Sequence, residues 1–219
     1  MKALRKIALL LAVLLLASAL TSCSFFSSLF GGDKLSLAGI SEMLDAASPK
    51  KSKADMTAVY ADPAVTLTAD LEFEVTAAAE KYSYRIDYLL PLEEALATGE
   101  AIGEYRGFVT IEGDTIAEDS GEIDNAILTA IEGVVLKAPS LNVANLESHT
   151  ITEENGKIVL EARARDALIV TLFDVNLLGV TGLSMRIEID ASTERPTSTT
   201  LTYTSREGAA VTAVIVYEY

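Results

Sequence analysis

Residues 64–76 read Ala-Val-Thr-Leu-Thr-Ala-Asp-Leu-Glu-Phe-Glu-Val-Thr. Val65, Leu67, Ala69, Leu71, Phe73 and Val75 take every second place, with Thr66, Thr68, Asp70, Glu72, Glu74 and Thr76 between them. Successive side chains of a strand point to opposite faces, so this stretch predicts a strand with one apolar and one wet face. Strands of that kind build antiparallel sheets that are covered on one side only.

The same period extends outward. Residues 81–90 repeat it with Tyr82, Tyr84, Ile86 and Tyr88, and Leu89-Leu90-Pro91 closes the run. Residues 92–98 suit one or two helical turns. Strands follow over 104–111 and 114–118, joined at Glu112-Gly113. Residues 145–153 and 157–164 read as a hairpin about Asn155-Gly156; this pair suits a tight turn, which needs positive φ at both central positions. Three further strands read over 183–191, 197–204 and 209–218, with Arg206-Glu207-Gly208 in the last turn.

Upstream, Ser36 can cap a helix over 37–47 that carries Leu37, Ile40, Met43 and Leu44 at helical spacing. Pro49 and the lysines after it end that helix, and 50–63 reads as irregular, with Asp62-Pro63 as a turn. A second helix is expected over 122–137, where Ile123, Ile127, Ile131, Val134 and Val135 share a face. Residues 167–178 are almost wholly apolar. Asp166 as a cap favours a buried helix, while Ile169, Val170 and Thr171 favour a strand; helix is the reading taken. The sum is about nine strands interrupted by two or three helices. It predicts an α+β fold in which one curved, mostly antiparallel sheet carries helices on one face, within a single domain over 37–219.

The first residues have a different character. Lys2, Arg5 and Lys6 precede an unbroken apolar run from Ile7 to Leu16, and small residues follow at Ala17, Ser18 and Ala19. A basic flank, a short apolar core and a small-residue exit make a secretory signal. The run reaches at most Leu20, short of the roughly 20 residues a spanning helix needs. The exit Leu20-Thr21-Ser22-Cys23 resembles a bacterial lipobox. The resemblance implies that residues 1–22 are a signal peptide and that cleavage precedes Cys23. It further implies that the cysteine carries acyl chains such as palmitate, and that 23–36 form the lipidated tether. Cys23 is the single cysteine, so no disulfide can form within the chain. Ser24 resembles the residue that directs Gram-negative lipoproteins to the outer membrane, so the expected location is the cell membrane or the outer membrane. Phe25, Phe26, Leu29 and Phe30 stand next to the anchor and suit a headgroup region, with Gly31-Gly32 as a flexible break.

The chain has 17 basic and 32 acidic residues, and its net charge of −15 falls to −18 once Lys2, Arg5 and Lys6 leave with the signal. Its densest basic spot, Lys50, Lys51 and Lys53, is too small to displace nucleic-acid counterions, so no nucleic-acid partner is expected. The same charge holds the body off anionic lipid and leaves the acyl anchor as the membrane contact.

The last strands carry a second resemblance. Arg186-Ile187-Glu188-Ile189-Asp190, then Thr193 and Pro196, then Thr200 to Tyr203 and Gly208, look like the closing strands of the Lol-type lipoprotein-carrier superfamily. That likeness implies an open half-barrel that cups acyl chains between sheet and helices. The chain departs from it in having no Trp.

Candidate chemistry is sparse. His149 is the single histidine and Ser148 precedes it, but no G-x-S-x-G turn is present, and strand alternation would send the two side chains to opposite faces. Glu112, Asp114, Glu118, Asp119, Glu122 and Asp124 crowd one stretch without the spacing of a calcium loop. A solvated hairpin and an acid-rich helix start account for them. Glu93 and Glu94 are adjacent and would diverge on a helix. Tyr82, Tyr84 and Tyr88 form a stripe that suits the rim of an apolar cup, or plain sheet packing. The expected function is therefore a non-catalytic, lipid-anchored envelope protein without cofactor or metal, whose body binds an apolar ligand (a lipid or acyl chain) or another envelope component. The alternatives are a surface structural or protein-interaction module without a cavity and, last, a hydrolase using His149.

Overall fold

The computed structural model describes residues 34–61, 64–75, 80–112, 115–119, 141, 143–166, 180–206 and 208–219; within its strands only the backbone is described at Tyr82, Ile86, Tyr105, Val109, Ile111–Glu112 and Thr115–Asp119. It is an α+β fold dominated by one ten-stranded antiparallel sheet. The chain enters through helix α1 (Leu37–Asp45) and makes β1 (Lys51–Ala61), β2 (Ala64–Val75) and β3 (Glu80–Leu89). Helix α2 (Leu92–Thr98) precedes β4 (Ile102–Glu112) and β5 (Thr115–Asp119). After a 3-10 turn at Val143–Asn145 come β6 (Leu146–Glu154), β7 (Lys157–Ala164), β8 (Thr181–Asp190), β9 (Arg195–Thr204) and β10 (Ala210–Glu218).

The spatial order is β5-β4-β3-β2-β1-β10-β9-β8-β7-β6. Two five-stranded meanders are thus joined where the first strand pairs with the last. Lys51 faces Glu218 and Val59 faces Ala210 across that seam. Strands β5 and β6, next to each other in sequence, stand at opposite edges.

Most sequence expectations in the described residues hold. Ser36 caps α1, its Oγ accepting the Gly39 N–H at 3.1 Å, and Ile40, Met43 and Leu44 are the buried face. Asn155 (φ 54°) and Gly156 (φ 76°) make the β6–β7 turn in the left-handed region, as their types require. The expected helix at 92–98 is present as α2. The expected helices at 122–137 and 167–178 lie outside the described residues.

One reading is overturned: 50–63 is not irregular, because 51–61 forms β1, at the centre of the sheet. Lys, Ala and Asp are weak strand formers. Here pairing on both sides outweighs propensity, with Lys51–Ala61 matched residue by residue to β2 and Lys51–Val59 to β10. That strand raises the count from nine to ten.

The core lies on one face of the sheet. Ile158, Leu160, Leu183, Ile187, Ile189 and Ile215 are almost completely buried there with Ile40 and Leu44 of α1. The cluster continues across the seam through Ala54, Leu71, Phe73 and Tyr84. Burying a side chain of this size contributes about 1.5–3 kcal/mol, so the helix is held mainly by what it covers. The interior also contains a polar pair: the Tyr217 hydroxyl donates to Thr199 Oγ1 at 3.0 Å, and both residues are buried. Burial pushes the Tyr217 hydroxyl well above its ordinary pKa, so it stays a donor.

Candidate functional site

The sheet presents two unlike faces. The open face is an array of cross-strand charge pairs: Lys53 meets Glu72 at 2.5 Å, Lys51 meets Glu74 at 3.1 Å, and Arg85 meets Glu104 at 2.5 Å and Asp70 at 3.5 Å. Arg106 also binds Glu104, and the two guanidinium groups hold that carboxyl down at about 2. On the same face Thr202, Thr212, Thr57 and Thr68 stand in register across four neighbouring strands, and Thr68 Oγ1 donates to Asp87 Oδ2 at 2.8 Å. A shallow groove of about 380 Å³ crosses β6–β9, lined by Ser148, Thr150, Arg163, Ser184, Thr200 and Thr202 among others. Its cations are engaged: Arg163 with Glu147 at 3.1 Å, Arg186 with Glu161 at 2.7 Å and Glu188 at 3.2 Å. Exposed pairs of this kind contribute little stability each.

The apolar face is covered unevenly. Towards α1 it is packed. Towards the closed end of the β1–β2 hairpin, where Ala61 pairs with Ala64, the residues Ala58, Tyr60, Val65, Leu67 and Ala69 are only half-buried. Leu67 and Leu71 stand on the same face of β2, four residues apart, yet Leu71 is 3% exposed and Leu67 is half-buried. The alternation in the sequence marks both as apolar-face residues without telling them apart.

The tyrosine stripe divides along the same line. Tyr84, 6% exposed, belongs to the core opposite Leu71. Tyr88 is half-buried and lays its ring against Gly103 on β4, where a Cβ would come within 2.2 Å of Tyr88 Cζ. The glycine therefore makes room for the ring, and no larger residue fits without moving it. Tyr82 is in register with Phe73 and Val109. Tyr88 borders the half-buried region; Tyr84 is a packing residue.

The other candidates are placed as follows. Leu20, Thr21, Ser22 and Cys23 lie outside the described residues. Ser148 pairs with Arg163 and the adjacent His149 with Ala162; both are exposed, and both border the shallow groove across β6–β9. Glu93 and Glu94 occupy the first turn of α2, where acids suit the positive helix end. Of the crowded acids, Asp114, Glu122 and Asp124 lie outside the described residues. Among the described residues no group of three or more metal-ligating side chains converges. No helix among them is long and apolar enough to cross a membrane.

One feature escapes the sequence reading altogether. Leu92 and Leu96, one turn apart on α2, are 75% and 77% exposed. Their i, i+4 spacing was the available signal, but spacing alone points to burial.

These features define a lopsided α+β protein: a ten-stranded sheet with a charged face, a packed apolar half and a half-covered apolar end. No family model matches the chain, and no curated protein does. Among solved structures it is similar to a hypothetical protein from Chlamydia trachomatis, at 10% identity and a TM-score of 0.30, over 82% of this chain and 92% of that one.

Proposed function

We propose that the protein is a non-catalytic, lipid-anchored lipoprotein of the bacterial cell envelope, exported, cut before Cys23 and acylated there, whose sheet holds an apolar ligand such as a lipid acyl chain. The anchor rests on the order of Lys2, Arg5 and Lys6, the apolar run 7–16 and the Leu20-Thr21-Ser22-Cys23 exit. The observation that carries the ligand reading is the half-buried apolar end around Leu67 and Tyr88, beside a core that, among the described residues, is packed under α1. Apolar surface of this kind, continuous with a core, gains about 25 cal/mol for each Å² that a ligand removes from water. The Lol-type resemblance of the last strands agrees with a cup for acyl chains.

The test has two arms. Growth with an alkyne fatty acid labels the native chain and leaves Cys23→Ser unlabelled; an intact, unacylated chain in the cell interior removes the anchor reading. Native mass spectrometry of the full chain extracted from its host finds a co-purified lipid mass. A chain that carries none, and takes up none from mixed micelles, removes the ligand reading.

A further inference from the structure

Helix α2 is built to display its leucines. Gly99 ends it in the left-handed region (φ 75°), its N–H donating to Ala95 O at 2.8 Å, and Thr98 Oγ1 donates to Glu94 O at 2.9 Å. At its root Leu90 N–H donates to Ala101 O at 3.0 Å, and Leu89 pairs with Ile102. A short helix so fixed at both ends does not gain its order from burying Leu92 and Leu96. Leaving both in water forgoes about 1.5–3 kcal/mol each.

The charge around this ridge is one-sided. Residues 86–103 include Asp87, Glu93, Glu94 and Glu100 and not one Lys or Arg; Glu104, just beyond them, is already held by Arg85 and Arg106, so the excess of acid sits on α2 and its immediate flanks. An anionic bilayer is repelled by such a surface, and a second copy would set acid against acid. The complementary occupant is apolar at its centre and basic at its rim. The position in the sheet agrees. Lys34, where the described chain begins, bonds Glu194 in the β8–β9 turn. Register puts that turn at the end of the sheet opposite α2. On the lipoprotein reading, α2 therefore faces away from the anchored bilayer.

We infer that the Leu92–Leu96 ridge of α2 is a docking surface for a protein partner that offers an apolar cleft or helix face bordered by lysine or arginine. The ridge lies at the same end of the sheet as the half-buried apolar region, and the inference does not depend on that region's holding a ligand.

The chain has no Trp, so Leu96→Trp installs a single reporter at the ridge. The probes are two amphipathic helical peptides with one leucine face, one with lysine and one with glutamate on the polar face, added to the full chain in phosphatidylcholine nanodiscs. The lysine peptide is expected to shift the indole emission to the blue, saturably and less so as salt rises; the glutamate peptide leaves it unchanged. Adding Leu92→Ser weakens the response about tenfold or more, as loss of a central apolar anchor does. No shift with either peptide, an equal shift with both, or an unchanged affinity with Leu92→Ser overturns the inference. So does quenching of the indole by brominated phosphatidylcholine before any peptide is added, which assigns the ridge to a bilayer. Dimerisation of the native chain that Leu92→Ser abolishes overturns it in favour of a second copy.

Discussion

Leu67→Ala and Leu71→Ala make the same chemical change at two points of one strand face, and the structure assigns them opposite consequences. Leu71 is 3% exposed inside the core cluster, so its truncation loses about 0.8 kcal/mol per buried carbon, roughly 2.4 kcal/mol for three, and the cavity left behind raises the cost to about 3–4 kcal/mol. Leu67 is only partly buried, so its truncation forfeits about two thirds or more of the transfer energy, roughly 1.5–2 kcal/mol, without an enclosed cavity. Urea unfolding of the lipid-stripped chain should separate the two by about 1–2 kcal/mol at equal m value, which keeps the comparison within one unfolding reaction. Lipid occupancy read by native mass spectrometry should rank the variants the other way, with Leu67→Ala carrying less lipid than Leu71→Ala refolded under the same conditions. If Leu67→Ala costs as much as Leu71→Ala in stripped protein, the half-buried end is ordinary core and the argument for a ligand there fails.

Three further outcomes follow from local geometry. Asp190 Oδ1 accepts from Ser192 N and Oγ and from Thr193 N and Oγ1, which holds its carboxyl down at about 2 against an ordinary 3.8. A depressed carboxyl contributes stability that is whole above about pH 4 and is lost as the pH falls toward 2, so Asp190→Asn should flatten the acid limb of a melting-temperature profile between those values and change its slope little above pH 5. Glu194 holds φ 57° in the same turn, and Glu194→Gly should stabilise the chain by up to about 1 kcal/mol in urea titrations, since the left-handed region costs an L-residue about 1–2 kcal/mol and glycine gives back part of that in entropy. Tyr217→Phe should cost about 1–3 kcal/mol by leaving buried Thr199 without its donor, and the double change with Thr199→Val should recover part of the loss.

The sequence by itself determined those elements whose signals are local. The alternation over 64–76 marked a strand and its two faces; Ser36 marked the start of α1; Asn155-Gly156 marked a turn that only positive φ can make. Each depends on the residue and its near neighbours, and each is where the sequence put it. The tertiary structure decided the rest, because the deciding contacts are distant in sequence. Residues 51–61, made largely of small and charged types, become the central strand because β10, more than 150 residues later, pairs along their other edge. Tyr84 and Tyr88 belong to one stripe, yet the first is core and the second lies over Gly103, since what covers a sheet face is set by packing and not by the period of the strand. The same holds for Leu92 and Leu96: their spacing predicts an apolar face, and only the position of α2 beyond the strand ends leaves that face in water.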